Sequence, residues 1–395
     1  MSFSFGFSGD DIENDQSETT PNGPAPVAAA ASSSSPSSAA PNQAFPVPGK
    51  PQLPATQHNI SDLLASLPSK IAYSLLDVDL DGARSVRLPR RELWDVRVQI
   101  MAEDDEVLSA AGEGEDLVDN GGLGRHDVKT GIYEGGFKSW ESSVDLVKVL
   151  AAQEHLSASL GSSSLRVIEL GCGTGLPSLA LFQWIMAMDA AQQPRRRPCH
   201  FVLADYNPSV LRLVTLPNLL LSWALAHPHA PALADAFSID GELEISPDVL
   251  AAFERFLADG GIRISFLSGA WSPQLLDLLY GLPAFAAPEQ SLSSSPSTTT
   301  TATTTATTLL LGAETIYSPF ALQAFTEVLF AILERERGEP AAQALAYVAA
   351  KRLYFGVGGS LTDFVDGARA RGALVTELSE ETEGVRRGVV SCVLP

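Results

Sequence analysis

"SLRVIELGCGTGLPSL", Ser164–Leu179, decides how the chain is read. An apolar run ends at Glu169-Leu170-Gly171, and three glycines then fall at alternate positions, Gly171, Gly173 and Gly175. The run has the length of a buried strand, and the stretch from Gly175 to Met188 reads as a helix. Glycines at a strand-to-helix turn let a ligand approach the backbone closely, and the helix N-terminus offers it unpaired N–H groups. A dinucleotide-binding turn reads G-x-G-x-x-G. Here the third glycine comes one residue early, and Leu176 stands where the last glycine belongs.

The same alternation continues outward. Further strands are expected in CHFVLADYN (199–207), RISFLSGAW (263–271) and TLLLGAETIYS (308–318), and at the start of AQALAYVAAKRLYFGVGGS. Helices are expected in PSVLRLVTLPNLLLSWALA and FALQAFTEVLFAILERE. ALVTELSEE and RRGVVSCVLP add two strands with no clear long helix between them, an antiparallel end to the sheet. The expected fold is α/β, a seven-stranded, mostly parallel sheet with helices on both faces. Such sheets bind ligands outside the carboxyl ends of their strands. The second strand ends in Asp205-Tyr206-Asn207, where Asp205 either accepts from a ribose diol or caps the next helix. The third ends in Ser268-Gly269-Ala270-Trp271 without an acid, and Trp271 either stacks on a base or packs in the core.

Residues 1–56, rich in Ser, Ala and Pro, read as a disordered tail tipped by alternating Phe3, Phe5 and Phe7. Residues 57–145 read as an N-terminal extension. It starts with a helix capped by Asn59 or Ser61 and ended by Pro68. RRELWDVRVQIMAEDD reads as strand or mixed structure, and 103–124 as an acidic loop. The main domain spans 146–395, interrupted by a low-complexity Ser/Thr insertion at 291–308.

With 26 basic and 47 acidic residues among 395, the formal charge is −21. That balance argues against an electrostatic grip on nucleic acid and fits a basic partner, or simply solubility. Three scattered cysteines make neither a disulfide framework nor a zinc site, and the six histidines show no metal spacing. Cys172 reads as a small packed side chain. The N-terminus has no signal-peptide pattern, and the most apolar windows, such as LLLSWALA, fall short of the roughly 18 residues a membrane span needs. The expectation is an intracellular protein that contacts neither nucleic acid nor membrane.

An acid followed by G-x-G-x-G is the pattern of S-adenosylmethionine (SAM) methyltransferases. Glu314-Thr315-Ile316-Tyr317, after the fourth strand, resembles the [DE]-x-x-Y motif of seven-strand protein methyltransferases. Taken with IYEGGFKSWESS, LADYNPSVLRLVTLPN and YFGVGGS, the chain from roughly 130 to 395 resembles the protein-histidine N-methyltransferase family, fungal type. The resemblance implies a class I, Rossmann-like fold, SAM as cofactor, and a histidine of a large-subunit ribosomal protein as target. It implies cofactor contacts from Glu169, Gly171, Gly173, Gly175, Asp205, Asn207 and Trp271. Trp140 would cover the cofactor, where a sulfonium over an indole is favourable, or else pack as a core tryptophan. Tyr133, Glu134, Gly358 and Gly359 would meet the substrate. Glu314 would favour the imidazolium product, with Tyr317 shaping the pocket. A lysine or small-molecule methyltransferase, or a binding module without chemistry, are the other readings. A monomer in cytoplasm and nucleus is expected.

Overall fold

The computed structural model describes residues 51–80, 84–110, 135–154, 156, 164–191, 198–283, 306–339, 342–354, 359–382 and 384–395. All lie within one compact unit, Ala40–Pro395. Its strands are β1 (Thr56–His58), β2 (Lys70–Leu80), β3 (Arg84–Arg91), β4 (Ser164–Leu170), β5 (Cys199–Asp205), β6 (Glu242–Glu244), β7 (Ile262–Ser268), β8 (Ala306–Ala313), β9 (Ala342–Lys351), β10 (Leu374–Glu381) and β11 (Arg387–Val393). The main sheet has the order β1-β7-β5-β4-β8-β9-β11-β10, and β3-β2-β6 form a second, three-stranded sheet. Pairings from β7 through β9 are parallel, whereas β11 runs antiparallel to both of its neighbours.

Alternation along the central strands divides the interior in two. Val167, Phe201, Leu203, Leu309 and Leu311 face one core, while Ile168, Val202, Ala204 and Leu310 face the other. Strands buried on both faces need apolar residues at every position, hence the unbroken hydrophobic runs. The first core is closed by helices α3 (Glu141–Ala152), α4 (Leu176–Ala191), α5 (Pro208–Ala226) and α6 (Pro247–Asp259). The second is closed by α7 (Pro273–Gly281), α8 (Pro319–Arg337) and α9 (Leu361–Ala370). Ser-Pro pairs start α6, α7 and α8, with the serine oxygen accepting a first-turn N–H and proline at a position that needs no donor.

Four expectations change. The sheet has eight strands, because Thr56–His58 pairs antiparallel with Phe266–Ser268 and covers the open edge of β7. Three residues with no apolar run leave no signal in the sequence. Ala306–Thr308, read as part of the Ser/Thr insertion, begin β8. The stretch read as strand or mixed structure forms helix α2, Leu93–Ala110, which extends into the expected acidic loop. Val96, Val98 and Ile100 alternate as in a strand. The helix buries Val96 and Ile100 against Phe137, Val210, Leu213 and Val214, and leaves Val98 56% exposed. Tertiary packing has overridden a β-branched pattern. Finally, the apolar segment at α5 is longer than the windows expected. Pro208–Ala226 is long and apolar enough to cross a membrane by length and composition, and 83% of its most apolar window is buried inside the fold. The short helix α1, Ile60–Ala65, is capped by Asn59 as expected.

Helix α5 is not regular. Leu211–Thr215 forms a π-turn just before Pro217. Proline has no N–H for the Leu213 carbonyl, and the Arg91 Nη1 donates to that carbonyl at 3.0 Å instead.

At the amino ends of β4 and β8, Glu336 accepts from Arg166 at 2.7 Å and from Thr308 at 2.8 Å while only 1% exposed. Arg166→Met leaves that carboxylate buried without its cation. The expected loss is about 3–5 kcal/mol of unfolding free energy, read by urea denaturation.

Candidate active site

The order of the sheet reverses between β4 and β8, and the crevice there opens at the carboxyl ends of the strands. A cavity of about 590 Å³ occupies it, within the usual range for a small-molecule site. Its walls come from the glycine turn after β4, Asp205–Asn207 after β5, Ala270–Ser272 after β7 and Ala313–Thr315 with Tyr317 after β8.

The glycine turn is left-handed at Gly171, Gly173 and Gly175, with φ of 69°, 51° and 73°. A side chain at Gly171 would bring its Cβ to 2.3 Å from Thr315 Cγ2, and one at Gly173 to 3.3 Å from the Gly136 carbonyl oxygen. The sequence therefore keeps the turn bare where it meets β8 and the segment before α3. Gly171 and Gly173 line the cavity, while Gly175 leads into α4, its carbonyl accepting the Leu179 N–H at 2.8 Å.

Asp205 is joined to this turn. Its Oδ2 accepts the Gly173 N–H and its Oδ1 the Asn207 N–H, each at 3.0 Å. Burial pushes its pKa up to about 6, against the pull of those N–H donors. It braces the turn and faces the cavity, where carboxylate lone pairs remain for a diol. Asn207 lines the cavity too, but its Oδ1 caps α5 by accepting the Ser209 N–H at 3.0 Å. Glu169, 1% exposed, accepts from both the N–H and the hydroxyl of Ser178 in the first turn of α4. Burial raises its pKa to about 8, so it is largely protonated at neutral pH.

Two groups that sequence reasoning missed hold the turn from the other side. Thr215 Oγ1 donates to the Gly173 carbonyl at 2.6 Å, and Asn218 Nδ2 to the Thr174 carbonyl at 2.9 Å. The Asn218 Oδ1 accepts the Arg91 main-chain N–H at 2.7 Å, tying the N-terminal sheet to the same turn. Nothing local marks these residues. Only the π-turn and the approach of β3 give them their partners.

Glu314 is the one non-glycine residue with positive φ, 57°, among the described residues. That backbone costs on the order of 1–3 kcal/mol and is tolerated where surrounding structure enforces it. Its Oε1 accepts from Ser142 at the start of α3, and its Oε2 from the Tyr354 hydroxyl at 2.5 Å. Burial raises its pKa, while those donors and nearby Lys351 pull it back. Ser142 and Tyr354 were also not foreseen. Tyr317 lines the cavity. Trp140 does as well, but at 38% exposure it is no core residue, and the Lys351 ammonium lies 5.2 Å from its ring centroid. Trp271 packs on the core side, meeting Phe325 at 5.7 Å between centroids, and also lines the cavity. Gly359 is buried against the backbone of Ile316 and Ser318, 2.7 Å and 2.9 Å from where its Cβ would stand, and not on the cavity wall. Tyr133, Glu134 and Gly358 lie outside the described residues.

The end of the segment read as a tail also belongs here. Gln52, Leu53, Pro54 and Ala55 line the cavity, with the Leu53 N–H donating to the Tyr206 hydroxyl at 3.1 Å.

The walls fit SAM. A bare glycine cradle faces the cavity, a carboxylate stands at the end of the second parallel strand, and the buried indole N–H of Trp271 and hydroxyl of Thr315 have no hydrogen-bond partner among the described residues. With the strand order, they define a class I SAM-dependent methyltransferase. No family model matches the chain. The chain is 32% identical over 317 residues to histidine protein methyltransferase 1 of Schizosaccharomyces pombe, covering 80% of this chain and 77% of that protein. It is 33% identical over 381 residues to histidine protein methyltransferase 1 of Saccharomyces cerevisiae, covering 92% and 89%. The chain belongs to the histidine protein methyltransferase 1 family. Among solved structures, the N-terminal domain of human METTL16 in complex with SAH aligns over 85% of this chain and 94% of its own, at 10% identity and a TM-score of 0.34.

Gly173→Arg places a side chain inside the cradle. SAM affinity is expected to fall at least about 100-fold by calorimetry, with an unchanged circular-dichroism spectrum. A pH test addresses Glu169. Below its unfolded pKa of 4.5 the carboxyl is protonated in both states; above that the unfolded chain ionises first and the folded one only near 8. Its contribution to stability therefore declines as pH rises from about 4.5 through about 8. His58 and His200, lowered by burial, act in the opposite sense, so the comparison must be with a variant. Glu169→Gln is expected to narrow its melting-temperature deficit, or overtake wild type, between pH 5 and pH 8.

Proposed function

We propose that the chain transfers the methyl group of SAM to an imidazole nitrogen of a histidine in a basic, large-subunit ribosomal protein. The observation that carries this reading is a half-buried carboxylate, Glu314, lining the same cavity as the glycine cradle and held there by the Tyr354 hydroxyl. SAM supplies an electrophilic methyl group on a sulfonium. The glycine turn would hold its amino-acid portion and Asp205 its ribose.

A histidine with a pKa near 6.5 is mostly neutral at pH 7, so the attacking nitrogen needs alignment more than deprotonation. Attack would form the N–CH3 bond as the S–CH3 bond breaks, leaving an imidazolium and the neutral thioether S-adenosylhomocysteine. Glu314 would favour that charge, and its carboxylate would accept a hydrogen bond from the N–H of the second ring nitrogen, fixing the tautomer. Ser142 and Tyr354 fix the direction of the carboxylate. Tyr317 and Trp140 bound the mouth and limit how the ring enters. A lysine target would first have to lose a proton, which this arrangement does not require of a histidine.

The charge of −21 suits a basic protein and disfavours RNA. The substrate is accordingly the free ribosomal protein or a pre-assembly form, met by a monomeric enzyme in cytoplasm and nucleus. The names of the fungal relatives support the histidine target.

Labelled SAM is incubated with isolated large-subunit ribosomal proteins and, separately, with mature subunits, and the product amino acid is identified. Methylhistidine in one free protein is expected. Glu314→Gln is expected to lower kcat about 100-fold with SAM affinity retained. Methyllysine would overturn the target, and methylation of mature subunits but not of the free protein would overturn the substrate form.

A further inference from the structure

The carboxyl end of β7 carries no acid to meet a purine, yet the site there is not bare. The chain before β1 lies across it as a strap. The Leu53 N–H donates to the Tyr206 hydroxyl at 3.1 Å, and the Ala270 N–H to the Leu53 carbonyl at 3.0 Å. One strand further, His58 Nε2 hydrogen-bonds Ser268 Oγ at 2.7 Å, anchoring the pairing of β1 with β7. Gly269 makes the approach possible: at φ 97°, its Cβ would sit 2.2 Å from the Pro54 carbonyl oxygen. A site that keeps glycine so that a distant segment can press this close is using that segment as a wall.

The wall lies on the side of the cavity away from β8. Asp205 ends β5, and β7 and then β1 are the next strands outward. A nucleoside whose ribose diol meets Asp205, with its 5′ side toward the glycine turn between β5 and β8, therefore directs its base toward β7 and the strap. The cavity lining includes Gln52, whose amide is a donor and acceptor pair, and Trp271, which follows β7 and whose buried indole N–H has no hydrogen-bond partner among the described residues. A purine edge offers a complementary set of ring nitrogens and an exocyclic amine.

Resting on the SAM reading above, we propose that Gln52–Ala55 forms the purine-recognising wall of the cofactor site, with Gln52 and the Trp271 indole N–H reading the base edge. The N-terminal segment takes the role that a carboxylate on β7 would otherwise fill. Base selectivity thus rests in part on a segment outside the α/β domain's own strand ends.

The test is calorimetry on the full chain with S-adenosylhomocysteine (SAH) and with S-inosylhomocysteine, which replaces the 6-amino group by an oxo group. Wild type is expected to prefer the adenosyl compound. Gln52→Ala should weaken SAH binding about tenfold, the size of one hydrogen bond, and shrink that preference. Trp271→Phe should weaken both compounds, through the lost N–H. Gly269→Ala should displace the strap, with the same loss of preference and faster amide exchange at Leu53. Wild-type affinity and preference in Gln52→Ala and Trp271→Phe, with wild type binding SAH, would overturn this inference alone. Failure of wild type to bind SAH would overturn it together with the cofactor reading.

Discussion

The backbone of one tight turn must have its polar groups satisfied at the bottom of an open cavity, and much of the molecule is arranged around that demand. The N–H groups of Gly171 and Cys172 donate to the Ala204 carbonyl, and that of Gly173 to Asp205. The carbonyls of Gly173 and Thr174 accept from Thr215 and Asn218. Left unpaired, each such buried group costs on the order of 1–3 kcal/mol. Satisfied, they make the turn rigid before any ligand arrives, so binding does not have to order it. The carboxyl end of β5 supplies one side of this clamp and a defective turn of α5 the other.

That defect shows how a local irregularity becomes a structural asset. Pro217 spoils the helix at the Leu213 carbonyl, and Arg91 from the small sheet repairs it. Arg91 is 4% exposed and is paired with Asp95 at 2.7 Å, so the repair is itself held in place by α2. Burial lowers the Arg91 pKa, against the raising effect of Asp95. The N-terminal sheet is thus coupled to the glycine turn through the Arg91 main chain on Asn218 and the Arg91 side chain on Leu213. Elsewhere on the cavity lining, α3 and the segment just after β9 do the corresponding work for Glu314 through Ser142 and Tyr354. Cradle and carboxylate are each fixed by elements that are distant in the chain.

How much of this was legible in the sequence follows from where each signal resides. The central strands announce themselves because burial on both faces demands apolar residues at every step. The glycine turn and Asp205 are readable because their chemistry is local to a strand end. Helix α2 misleads, since Val96, Val98 and Ile100 alternate like a strand while only the partner surface selects a helical face. Strand β1 and the strap are invisible because three to seven residues of mixed polarity gain their meaning only from the bare edge of β7. Thr215, Asn218, Ser142 and Tyr354 carry no motif; each acts on a partner at least 40 residues away. Motifs locate chemistry, and the groups that aim it are set by topology.

The most direct test is a crystal structure of the chain with SAH and a histidine-containing peptide from its substrate. The account predicts the homocysteine portion on the Gly171–Gly175 turn, the ribose diol on Asp205, and the target imidazole between the sulfur and Glu314. An imidazole held away from Glu314, or SAH bound outside the crevice between β4 and β8, would contradict it.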